Sequence, residues 1–213
     1  MPARGDAAKA ALVATAERLF AERGIEAVSL RDVSAAAGQR NHSAAQYHFG
    51  DRRGLVAAVY EARMREVDRR RHALLDELRA SGRDDDVAAL VEAAFLPLLD
   101  VVAETDGWYA RFQARARWDT LAWSVVVSLS TFTSFAEVAR LLDRALSDVP
   151  VALRRHRMDQ LLTLMLGTLA GWEGAPDRGE KRLPRDVLAD ELVSAGVAVL
   201  TTPTLARTGA PSR

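Results

Sequence analysis

Apolar residues recur every three or four positions along nearly the whole chain, the period of amphipathic helices packed on a core. Leu12, Ala16, Leu19 and Phe20 stripe a first helix from about Ala7 to Arg23, and Gly24 is placed to stop it. Ser29, with Asp32 three residues later, has the spacing of a capping box, which opens a short second helix that Gly38 ends. Leu30, Val33 and Ala37 give that helix its inward side. A third short helix is predicted from a cap at Asn41 to Phe49-Gly50, and Asp51 caps a long fourth helix running to about Ala80. Beyond it, Asp84-Asp85-Asp86 opens a helix carrying Pro97, a residue expected to kink it. Strict two-residue alternation is missing apart from the ambiguous segment "SVVVSLSTFTSF" at 124–135. The expectation is an all-α protein.

One stretch breaks the pattern. "QRNHSAAQYHFG", residues 39–50, spends its positions on amides, imidazoles, a hydroxyl, a phenol and a guanidinium, with only Ala44, Ala45 and Phe49 suited to burial. A short helix, a glycine turn and a second short helix behind a supporting helix is the helix-turn-helix order. Base edges in a DNA major groove present donors and acceptors that such side chains match. Arg40, His42, Ser43 and Gln46 suit base edges, while Tyr47, His48 and Arg52 suit phosphates, which fix position without reading sequence; Ser29 and Asn41, the caps of the two short helices, are counted with them as DNA-binding residues.

Composition changes this picture little. Formal net charge is zero, but residues 1–71 carry 13 Lys and Arg against 9 Asp and Glu, so the positive excess lies at the N-terminal end. Cysteine is absent, which excludes disulfides, thiolate metal sites and cysteine nucleophiles. No Ser/His/Asp order, phosphate loop or paired carboxylates point to catalysis, so no catalytic residue is assigned and the chain is not read as an enzyme. His42 and His48 are six apart, on different sides of a helix, so no metal is expected, nor any cofactor. No uncharged apolar run reaches the length of a membrane span. A soluble, cytoplasmic protein is the expectation.

Residues 7–60, through "AERLFAERGIEAVSLRDVSAAAG" and "YHFGDRRGLVAAV", resemble the DNA-binding domain of the TetR family of bacterial transcriptional regulators. One more residue lies between Gly38 and Phe49 than in the usual family pattern. The resemblance implies a homodimeric repressor of transcription that reads a pseudo-palindrome in double-stranded DNA and is released by a small-molecule effector. It implies a helix-turn-helix domain over residues 1–50 and a larger helical regulatory and dimerisation domain over 51–202. Residues 51–80 form its connecting helix, and a disordered tail follows at 203–213. An alternative keeps the fold as a sensor or adaptor that no longer reads DNA.

The regulatory part offers Phe95, Trp108, Phe112 and Trp118 as pocket linings, with Gln113 as a polar contact and Met165 beside them. "MDQLLTLMLGTLAGW" and "RDVLADELVSAGVAVL" are apolar nearly all round, so each has a second face to bury. Leu161, Leu162, Met165, Leu169 and Trp172 on the former, with Leu188, Leu192 and Val199 on the latter, are the expected dimer contacts.

Overall fold

The computed structural model describes residues 4–41, 43–105, 107–129 and 132–203, without the side chain of Arg4. His42 and most of the expected tail therefore lie outside the described residues. The elements are α1 (Arg4–Arg23), α2 (Leu30–Ala36), α3 (Ala44–Phe49), α4 (Arg52–Ala80), α5 (Val87–Glu104), α6 (Tyr109–Ala116), α7 (Thr120–Ser128), α8 (Ser134–Ala145), α9 (Val151–Glu173) and α10 (Arg185–Thr201). A 3-10 turn, Pro176–Arg178, precedes α10. No strand occurs among the described residues, and the all-α reading holds. None of these helices is long and apolar enough to cross a membrane.

The ambiguous segment at 124–135 is helical at both ends. α7 takes the valines, and α8 starts at Ser134. α1, α2 and α3 form a small three-helix core closed by the first turns of α4. Leu12, Leu19, Phe20, Val28, Val33, Ala45, Leu55, Val56 and Val59 are all at or near zero exposure.

α4 then runs into the larger helical body and packs along α5, α7 and α8. α5 is continuous through Pro97. A proline has no N–H to give the carbonyl four residues back, here that of Ala93. Arg71 fills that place from α4. Its Nε donates to the Ala93 carbonyl at 3.1 Å, and its Nη2 to the Ala94 carbonyl at 2.9 Å. The guanidinium is nearly inaccessible and donates to the Ser134 hydroxyl at 3.1 Å, which in turn donates to Asp68 at 2.5 Å. Burial pushes its pKa down to about 10. The run Arg69-Arg70-Arg71 makes its contacts within the chain. Arg69 and Arg70 are bound by Glu66 and Glu104, and Arg71 is a strut of the interior.

The last two long helices correct the expected dimer contacts. Leu161, Met165, Leu169, Leu188 and Leu192 are already buried inside the chain, at 3% exposure or less. They pack α9 and α10 on each other and on α5, and have no surface left to give a partner. Gly196 shows how close this packing is, because a Cβ there would stand 2.6 Å from Met165 Cε and 2.8 Å from Val91 Cγ1. Leu162, Trp172 and Val199 are half-buried. An apolar stripe all round a helix says that two faces are covered, but which face belongs to the fold is decided by its neighbours.

Candidate nucleic-acid interface

The short helices are held by caps rather than by length. Ser29 Oγ accepts from Asp32 N at 3.1 Å and donates to Asp32 Oδ2 at 2.6 Å, and Asp32 Oδ2 accepts from Ser29 N at 2.9 Å. The capping box is closed on both sides. These bonds hold the Asp32 carboxyl below its usual value. They also occupy the hydroxyl of Ser29, which the sequence places among the DNA-binding residues.

α3 begins later than the sequence predicts. Asn41 is no cap; its Oδ1 accepts from Ser43 N at 2.9 Å in an Asx turn, and the helix starts at Ala44. Gly38, which ends α2, takes φ +66°. Asn is favoured in both roles, which is why its position alone does not separate them.

Sequence reasoning passed over the residue that fixes α3. Ser34, on α2, is fully buried. Its hydroxyl donates to the Leu30 carbonyl at 3.0 Å and accepts from Ala45 N at 3.0 Å. Ala45 N–H is one of the donors that a helix N-terminus leaves without an intrahelical partner. One hydroxyl thus joins both helices of the motif. The far end of α3 is equally constrained. Gly50 takes φ +75°, Asp51 accepts from Gly54 N at 2.8 Å to cap α4, and a Cβ on Gly54 would lie 2.1 Å from the Phe49 carbonyl oxygen. No other residue fits at position 54. The GxxxG spacing of Gly50 and Gly54 is a sequence signal for this corner.

With Ala44 and Ala45 turned inward and Phe49 half-buried, α3 presents Gln46 and Tyr47 to solvent. Tyr47 is 84% exposed and packs edge-on against His48, ring centroids 5.2 Å apart. Ser43 precedes Gln46 by three residues and Tyr47 by four, so it extends the same outward side. Arg40 and Asn41 are exposed beside it, and Arg52 and His48 are half-buried at the other end. Among the described residues no group of three or more His, Asp or Glu side chains is placed to hold a metal.

Residues 12–59 match the family model for bacterial regulatory proteins of the tetR family. They form a TetR-family domain. No curated protein matches the chain. A solved structure described as a TetR-family transcriptional regulator, from Rhodococcus sp., aligns over 92% of this chain and 100% of its own, at 19% identity and a TM-score of 0.50. Regulators from Mesorhizobium loti and Pectobacterium atrosepticum cover 93% and 92% of this chain, and 98% and 93% of their own. Their identities are 15% and 27%, and their TM-scores 0.49 and 0.42. The Rhodococcus likeness extends the shared fold beyond the TetR-family domain to nearly the whole chain. The matched residues are those of the helix-turn-helix, the part of TetR-family regulators that binds DNA.

The six expected pocket residues do not gather around one cavity. Phe112 is fully buried between the TetR-family domain and the rest of the chain, 6.1 Å from Phe20 and 4.9 Å from Tyr60. Gln113 donates to the Tyr109 hydroxyl at 2.8 Å. Phe95 meets Phe135 edge-on, Met165 fills the α9–α10 contact, and Trp108 lies under the guanidinium of Arg111 at 3.5 Å. Trp118 is 72% exposed. Aromatic residues close together in sequence leave a helical segment in several directions, so their density marks a core as readily as a pocket.

Phe112 instead belongs to a joint between α1 and α6. Glu17 of α1, nearly inaccessible, accepts from Trp108 N at 3.0 Å and pairs with Arg63 at 3.3 Å. Arg115 donates to the Glu22 carbonyl at 3.2 Å. A second long-range cap comes from Glu173, at the end of α9. It accepts from Ala110 N at 3.0 Å and Arg111 N at 2.9 Å, the free N–H groups at the start of α6. Its burial raises its pKa despite these donors.

Proposed function

We propose that the chain is a ligand-released transcriptional repressor that binds a pseudo-palindromic operator as a homodimer in the cytoplasm. Residues 1–50 are the reading domain, and residues 51–202 regulate and dimerise. The observation that carries this reading is the division of α3. Its inward side is fixed by two alanines and the Ser34 hydroxyl, and its outward side is polar and exposed. Ser43, Gln46, Asn41 and Arg40 read base edges, with His42 beside them in sequence. Tyr47, His48 and Arg52 hold phosphates. Ser29 acts indirectly, by holding α2.

The partner surface is the face of α9 and α10 that the fold leaves uncovered. Leu164 and Val187 are 36% and 42% exposed, and an added Cβ at Gly167 or Gly171 would meet nothing within 4 Å. Small side chains there let a second copy approach closely, and a two-fold dimer sets one recognition helix against each half-site. Sedimentation of the purified chain tests this. A dimer that Gly167→Arg converts to monomer, with loss of DNA binding, supports the reading; a monomeric wild-type chain that binds DNA overturns it.

A further inference from the structure

α7 has two working sides. On one, Arg53 reaches across from the start of α4. Its guanidinium donates to the Ser124 hydroxyl at 2.7 Å, the Ser124 carbonyl at 3.3 Å and the Ser128 hydroxyl at 3.2 Å. Arg53 stands two residues after the Asp51 cap, so this clasp ties α7 to the corner that ends α3. On the other side, Trp123 is 49% exposed and lines a cleft of about 390 Å³ between α7, α8 and α9. That size lies within the range of small-molecule sites, about 300–1,000 Å³.

The lining states the chemistry of its occupant. Trp123 faces Phe135, Ala139, Met158 and Leu162, an apolar floor. The charges around it do not balance. Arg117 is paired with Asp159, and Arg154 with Asp143 at 3.1 Å. Arg155, also on the lining, has no partner among the described residues. The Nε atoms of Arg117 and Arg154 are both buried without a hydrogen-bond acceptor, and the guanidinium of Arg117 stands 6.0 Å from the ring of Trp123. An apolar floor with one spare cation at its edge is complementary to an apolar body bearing a single negative charge. It is unsuited to a cation, because both lining carboxylates are already paired.

We propose that this cleft is the effector site, that it takes a small aromatic or aliphatic carboxylate, and that occupancy is passed to the DNA-reading helix through α7 and the Arg53 clasp. The carboxylate meets Arg155, and the apolar part covers Trp123, Met158 and Leu162. Trp123 is the residue before Ser124, so a displacement of its ring moves the carbonyl and hydroxyl that hold Arg53. The regulatory half of this proposal rests on the DNA-binding function proposed above; the binding half stands without it.

The test uses the full chain. Its first arm follows 8-anilinonaphthalene-1-sulfonate, an aromatic anion, by fluorescence, with decanoate and decanol as competitors. Decanoate should displace the probe at least tenfold better than decanol. Arg155→Glu should abolish that preference, and Ala139→Glu should abolish probe binding, both with the melting temperature unchanged. Failure of the probe to bind, equal competition by decanol, or a preference that survives Arg155→Glu overturns the site. The second arm measures duplex DNA binding with and without decanoate. Decanoate should weaken binding at least fivefold in the wild type and leave the Ser124→Ala, Ser128→Ala variant unaffected. Equal release of both overturns transmission through the clasp. If the ligand binds as expected but the unliganded chain does not bind DNA, the proposed function fails and the site stands.

Discussion

Replacing Ser34 by alanine removes one hydroxyl, and the structure states what that hydroxyl holds. It is fully buried, accepts from Ala45 N at 3.0 Å and returns a bond to the Leu30 carbonyl at 3.0 Å. Alanine fits the space but leaves the Ala45 N–H in the interior without an acceptor, a loss of about 1–3 kcal/mol. For a chain of this length each kcal/mol moves the melting temperature by about 2–4 °C, so the drop should be about 2–12 °C. The assay pairs this variant with Ser43→Ala, nine residues on in the same motif. Ser43 is exposed and its side chain makes no cap bond, so its loss should leave stability within about 0.5 kcal/mol. On DNA the two should reverse their characters. Ser34→Ala loosens the seating of α3 and weakens binding to all sequences alike, whereas Ser43→Ala changes which base is preferred. A Ser34→Ala protein that melts with the wild type would refute the idea that this hydroxyl anchors the recognition helix.

Other outcomes follow from the same geometry. Arg52→Ala should reduce the slope of log affinity against log salt by about one, and Gln46→Ala should relax one base position at a cost of about 1–3 kcal/mol on the best site. Equilibrium binding over a salt series reads both. Glu173→Gln keeps one acceptor and turns an amide donor towards the other N–H at the start of α6, so chemical denaturation should show a loss of about 1–3 kcal/mol. The Asp32 carboxyl is held below its ordinary value of 3.8 by the Ser29 hydroxyl and backbone N–H. Its cap is therefore fully present above that pH and is lost as pH falls through the depressed folded value. Asp32→Asn should lower stability at neutral pH and flatten the acid limb below about pH 4, as read from denaturation midpoints across that range.

The parts of this molecule legible in its sequence are those set by short-range chemistry. Ser29 and Asp32 form the predicted box, Asp51 caps α4, and the glycines after α1 and α2 take positive φ. Asn41 misled because an Asx turn and an N-cap use the same side chain two residues apart. Long-range partners were not legible. Nothing near Ser34 in sequence announces Ala45, and nothing near Glu173 announces the start of α6. The sides of α9 and α10 facing the core are chosen by α5, so apolar periodicity named the stripe without choosing its partner. Pro97 is the exception of general use. A proline inside a buried helix leaves a carbonyl to be met, and the donor, Arg71, sits in a run that reads as surface charge.

The central claim is that two outward faces of α3 read DNA together. Its most direct test is selection of random duplex DNA on the purified chain at moderate salt, followed by sequencing of the bound fraction. The account predicts recovery of an inverted repeat whose half-sites are one helical turn or a multiple of it apart. Recovery of no common sequence, or of an unpaired half-site alone, would contradict it.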